Sequence, residues 1–174
     1  YWVLAQLYQF NYAGHKSSPC VPIVTEANAS IVPVEGAKRA TVEEVYTQIM
    51  NDLNTAVELL TTAKAEGMKR ADKRYADLGV ALGLRARVNL TMENWSAAAA
   101  DAQAAIEASG ATPYSIAQVS VPSFMNSSDA AWMWGIDIAE TDRVVTSGIV
   151  NWPSHMGSLN YGYANFSGGH QINK

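Results

Sequence analysis

The sequence is short of cysteine, of basic residues and of long apolar runs. Its single cysteine, Cys20, excludes an internal disulfide and leaves the redox compartment open. Lys and Arg total 12 against 16 Asp and Glu, a formal net charge of −4. That balance argues against a nucleic-acid binder, which carries an excess of cations to meet phosphates. No apolar run is long enough to span a bilayer. The three histidines, His15, His155 and His170, are scattered without metal-ligand spacing, so a zinc site is not expected. No G-x-S-x-G, P-loop or G-x-G-x-x-G motif occurs. Asp137 and Glu140 are the nearest approach to a glycosidase pair, and nothing in the sequence fixes their separation. With Asp142 they could instead meet a cation in an exposed turn, although solvation is the simpler reading. No catalytic constellation emerges, and no cofactor is expected.

What is present is a globular balance: 174 residues, 48% hydrophobic and 16% charged. The chain opens inside an apolar pattern, YWVLAQLYQF, as expected of an internal piece of a longer polypeptide. Its organising stretch is TVEEVYTQIMNDLNTAVELL, residues 41–60. Val42, Val45, Tyr46, Ile49, Leu53, Ala56, Val57 and Leu60 recur at three- and four-residue steps, the stripe of an amphipathic helix. Thr41 with Glu44 predicts a capping box, and Glu43 and Glu44 suit the positive end of the helix dipole.

Helices are predicted at about 1–13, 42–63, 75–92 and 95–109. The first is apolar nearly all round and should be buried on two sides, with Trp2 in the core. Pro19 and Pro22 punctuate an extended loop, and 27–40 read as irregular. Lys64, Lys69, Arg70, Lys73 and Arg74 read as a solvated basic loop rather than an anion site. The stripe of the third helix is Tyr75, Leu78, Gly79, Leu82, Ala86 and Leu90, and Arg87 should pair with a carboxylate or backbone carbonyls. The inner face of the fourth is Trp95, Ala98, Ala99, Ala102, Ile106 and Ser109, and Gly110 stops it. DLNTAVELL from Asp52 and DAQAAIEAS from Asp101 form a faint internal repeat, the pattern of tetratricopeptide-like arrays.

After Gly110 the character changes. Residues 116–174 read as a loop-rich region with a short strand near 131–138, Trp132, Trp134, Ile136 and Ile138 sharing a face. The tail interleaves Trp152, Tyr161, Tyr163 and Phe166 with Asn151, His155, Asn160 and Asn165. Flat rings suit the C–H face of a pyranose and amide edges suit its hydroxyls, so Trp152, Asn160, Tyr161, Tyr163 and Phe166 are the candidate ligand-binding residues. The same residues could equally be core and turn positions.

Four stretches together carry a resemblance: Val21-Pro22-Ile23 after the apolar helix, Thr41 through Leu60, Ala86-Arg87-Val88-x-Leu90, and the Asn94-Trp95 helix ending at Ser109-Gly110. In this order they resemble the SusD/RagB family of outer-membrane nutrient-binding lipoproteins. Two departures are visible. His15–Cys20 separates Gly14 from Val21, and Asn89 stands where the family often has an aromatic, which should loosen a helix contact. The resemblance implies a mainly α fold, a tetratricopeptide-like right-handed superhelix over residues 1–115, with 116–174 part of the ligand-binding portion. It implies a non-catalytic component that binds oligosaccharide at the outer-membrane surface and packs against a TonB-dependent, SusC-like transporter. Contact with the membrane would come only through a lipid anchor upstream of Tyr1, since Cys20 lacks the setting of a lipidation cysteine. The alternative is a tetratricopeptide-like scaffold that binds peptide in its groove.

Overall fold

The computed structural model describes residues 1–8, 11–119, 127–136 and 141. The chain divides into two compact units, 1–135 and 136–174. All but two of the described residues, Ile136 and Thr141, belong to the first. That unit is helical: α1 (Trp2–Tyr8), α2 (Val32–Glu35), α3 (Val42–Ala65), α4 (Leu78–Thr91), α5 (Trp95–Ser109) and α6 (Ile116–Val119). The described residues contain no strand, only one antiparallel bridge between Pro19 and Thr41. None of their helices is long and apolar enough to cross a membrane.

α3 starts where local chemistry demands. The Thr41 hydroxyl accepts the Glu44 amide at 3.2 Å, and the Glu44 carboxylate accepts the Thr41 amide at 2.7 Å, so the capping box is complete. The Glu44 carboxylate accepts first from the Thr41 amide and then from the Thr41 hydroxyl, at 3.1 Å, and these bonds hold it below its ordinary pKa. Val42, Val45, Tyr46 and Ile49 are buried, and Leu53, Ala56, Val57 and Leu60 are half-buried. The helix runs on to Ala65 and closes in a Schellman turn, with the Met68 amide on the Ala63 carbonyl at 2.9 Å and Gly67 at φ +79°.

The core gathers Ala5, Tyr12, Cys20, Val42, Val45, Tyr46, Ile49 and Val88. Val42, Val45 and Val88 are at most 1% exposed, and each such side chain contributes roughly 1.5–3 kcal/mol by leaving water. Tyr12 and Tyr46 pack with ring centroids 4.8 Å apart. The loop before α3 is pinned by backbone bonds from Cys20 to Ala40 and from Val42 to Ser18, and by the Arg39 guanidinium on the Cys20 and Pro19 carbonyls. Within the stretch expected to be irregular, α2 makes a single exposed turn.

α1 is buried on one face, not two. Ala5 faces the core, while Val3, Leu4 and Leu7 are exposed. Trp2 is half-buried, under the Arg87 guanidinium 4.7 Å from its ring. That contact, rather than a carboxylate, is where Arg87 goes. The ion pair belongs to Arg85, two positions back, which grips Asp101 of α5 through two hydrogen bonds of 2.8 and 2.6 Å. Arg85 also reaches Asn54 of α3 at 3.0 Å, so one guanidinium ties three helices.

α4 begins at Leu78, three residues later than expected. Asp77 is extended and its carboxylate caps the Val80 amide at 3.0 Å, leaving Tyr75 outside the helix and largely exposed. The buried face, Gly79, Val80, Ala81, Leu82, Ala86, Val88 and Asn89, is wide because α3 and α5 both pack on it. Leu90 points to water. A Cβ at Gly79 would lie 2.9 Å from Ser109 Cβ, so glycine permits the close crossing of α4 and α5. The turn between them is a second Schellman arrangement, with Glu93 in the left-handed region at φ 63°.

The inner face of α5 is Ala98, Asp101 and Ala105, with Trp95, Ala99, Ala102 and Ile106 turned to solvent. This rotation away from the expected face follows from Asp101, which Arg85 and Asn89 hold inside. Asn89 loosens nothing. It is 4% exposed, donates to Asp101 at 3.1 Å and accepts from Asn94 at 3.3 Å.

The strand expected near 131–138 is absent over 131–136, and 137–138 lie outside the described residues. A turn brings the Trp132 amide to the Asp129 carbonyl, and single bonds replace a ladder. The Gly135 amide reaches Lys73 and the Trp134 indole reaches the Arg74 carbonyl.

Candidate functional site

Trp152, Asn160, Tyr161, Tyr163 and Phe166 lie outside the described residues, as do Asp137, Glu140 and Asp142. The feature that the described residues do form is a cleft of about 730 Å3 where the C-terminus of α3 meets the N-terminus of α4. That volume falls in the roughly 300–1,000 Å3 range of small-molecule sites.

Local folding rules assemble it. The Schellman turn at Gly67 reverses the chain and leaves Met68 on the surface, 62% exposed. The Asp77 cap starts α4 late and leaves the Tyr75 ring 58% exposed. Leu60, Ala63, Ala71, Ala76, Leu78 and Ala108 supply much of the apolar wall.

The charges divide into two groups. Arg70 is fully engaged. It pairs with Asp77 at 3.0 Å and donates to the carbonyls of Tyr75 at 3.0 Å and Met133 at 2.9 Å. Lys73 donates to the Asp129 and Ser128 carbonyls, and Arg74 chelates Asp72, holding its carboxyl down to about 2. Arg70 and Lys73 fasten the loop, whereas Arg74 keeps its side chain 54% exposed, as expected of a solvated basic loop. Lys64 and Lys69 line the cleft and are exposed, and their ammonium groups have no hydrogen-bond or ion-pair partner among the described residues.

Sequence reasoning missed this cleft. The available sign was the density of cations in 64–74, and the placement of Tyr75 on a helix stripe obscured the exposed ring. Among the described residues no group of His, Cys, Asp or Glu could hold a metal ion.

Residues 1–90 match the family model of SusD-like proteins, described as starch-binding and associating with the outer membrane. The chain belongs to the SusD-like family. A solved relative agrees: the crystal structure of a SusD-like carbohydrate binding protein from Bacteroides vulgatus ATCC 8482, with a TM-score of 0.67 and 26% identity over 79% of this chain. This SusD-like chain spans 28% of the length of that relative. No curated protein matches it.

Proposed function

We propose that this SusD-like chain is part of a non-catalytic glycan-binding component of an outer-membrane nutrient uptake system. Oligosaccharide is captured at the cell surface and passed to a TonB-dependent, SusC-like transporter. The observation that carries this reading is the family match over residues 1–90. The carbohydrate-binding relative of the same fold supports it.

The division of labour follows from the chain's two characters. Residues 1–115 serve as scaffold, their helix pairs stacked as a tetratricopeptide-like right-handed superhelix. Shared helix-to-helix contacts, such as those of Arg85, give such a scaffold its stiffness. Residues 116–174 belong to the ligand-binding portion. Trp152, Tyr161, Tyr163 and Phe166 offer flat faces to sugar rings, and Asn160 offers an amide to hydroxyls. Attachment to the membrane comes through a lipid anchor upstream of this stretch in the parent protein.

The test is calorimetric titration of the chain with a panel of soluble oligosaccharides, starch-derived ones included, and in parallel with a panel of peptides. Binding of at least one oligosaccharide and of no peptide is the expected result. Binding confined to peptides would replace glycan capture by a peptide-binding scaffold.

A further inference from the structure

We propose that the cleft between the end of α3 and the start of α4 is a binding site for acidic oligosaccharides, whose sugars carry carboxylates. This deepens the carbohydrate-binding reading and rests on it. It assigns a ligand chemistry to residues that precede the aromatic tail in the sequence.

The first argument is shape and surface. The cleft offers an open phenol ring, Tyr75, and an open thioether, Met68, above an aliphatic wall. A pyranose presents a C–H face that packs on such a ring, and it keeps its hydroxyls at the rim.

The second argument is charge. Three cations line the cleft, Lys64, Lys69 and Arg70, against one carboxylate, Asp77. Arg70 and Asp77 satisfy each other, and Asp77 also caps the Val80 amide. What remains is two ammonium groups with no partner in a chain whose net charge is −4. A neutral sugar gains only hydrogen bonds to its hydroxyls from the two lysines, whereas a uronate adds an ion pair. A metal ion is repelled by the same pair.

The test uses the full chain, titrated calorimetrically at low salt with trigalacturonate and with its methyl ester, the same backbone without charge. The acid should bind about tenfold more tightly than the ester, roughly threefold for each lysine engaged. The Lys64→Gln/Lys69→Gln pair should abolish that preference, and added salt should erode it. Tyr75→Ala should weaken the acid and the ester alike. All three positions are exposed, so an unchanged circular dichroism spectrum is expected and checks the fold. Equal affinity for acid and ester, or a preference that survives the double substitution, overturns the assignment. So does a polyglutamate peptide that binds through the same lysines as tightly as the uronate. Neutral oligosaccharides that bind while the acid shows no advantage would overturn the cleft assignment alone. Failure of every sugar would remove the carbohydrate-binding reading with it.

Discussion

Replacing Asp101 with alanine should unfasten α5 from α4. Asp101 is 8% exposed and holds Arg85 through two hydrogen bonds of 2.8 and 2.6 Å. It also accepts from the buried Asn89 amide at 3.1 Å. The Asp101 hydrogen bonds raise the Arg85 pKa, and the guanidinium stays charged even without its partner because its ordinary pKa lies far above neutrality. Asp101→Ala leaves that cation with Asn54 and leaves the Asn89 amide short of an acceptor. Breaking a buried pair from one side costs about 3–5 kcal/mol. The Arg85 side chain is 21% exposed and water reaches it, so about 2–4 kcal/mol is the better figure. Set against a total stability of roughly 5–15 kcal/mol, this is a large fraction. Urea unfolding followed by far-ultraviolet circular dichroism measures it, with the midpoint falling at constant slope. Arg85→Met combined with Asp101→Leu removes both charges and should be less destabilised than Asp101→Ala, with about 1–3 kcal/mol remaining for the Asn89 amide left without its acceptor. A loss under about 0.5 kcal/mol for Asp101→Ala would refute the reasoning and show the pair to be solvated.

Two further outcomes follow from close geometry and from the cap of α3. Gly79→Ala gains up to about 1 kcal/mol of helix propensity but drives a Cβ to 2.9 Å from Ser109 Cβ, so a net loss of about 1–2 kcal/mol is expected in the same urea assay. A net gain would mean that α5 slides aside freely. The Glu44 carboxyl should titrate below its ordinary value by carbon-detected NMR, and Thr41→Ala should return it toward that value. Because the folded value is the lower one, the stability from this cap is present above the ordinary Glu pKa and is lost as pH falls through the folded one.

Some of this fold is plain in the sequence. α3 is legible because every local cue agrees: Thr41 and Glu44 make the cap and the apolar steps make the stripe. α5 is legible as a helix but not in its orientation. Alanine sits on any face at little cost, so the face was decided by Asp101, whose partner lies 16 residues back on α4. Arg87 and Arg85 show the same limit. They are two positions apart and so roughly 200° apart around the helix, and only the placement of α1 and α5 decides which stacks and which pairs. The alternation of Trp132, Trp134 and Ile136 suggested a strand, but there the Gly135 amide and the Trp134 indole each make a single bond to a distant loop. The cleft was hidden for a related reason. Its lining comes from α3, the basic loop, the cap of α4 and the end of α5, and no single stretch carries more than part of it.

Glycan capture by the aromatic tail is tested most directly by one comparison. The neutral oligosaccharide that binds best to the wild-type chain is titrated into Trp152→Ala. Stacking on an indole supplies about 0.5–1.5 kcal/mol beyond area burial. Together with that burial, the account predicts an affinity at least about tenfold weaker with the helical spectrum unchanged. An affinity equal to that of the wild type would contradict it and remove Trp152 from the site.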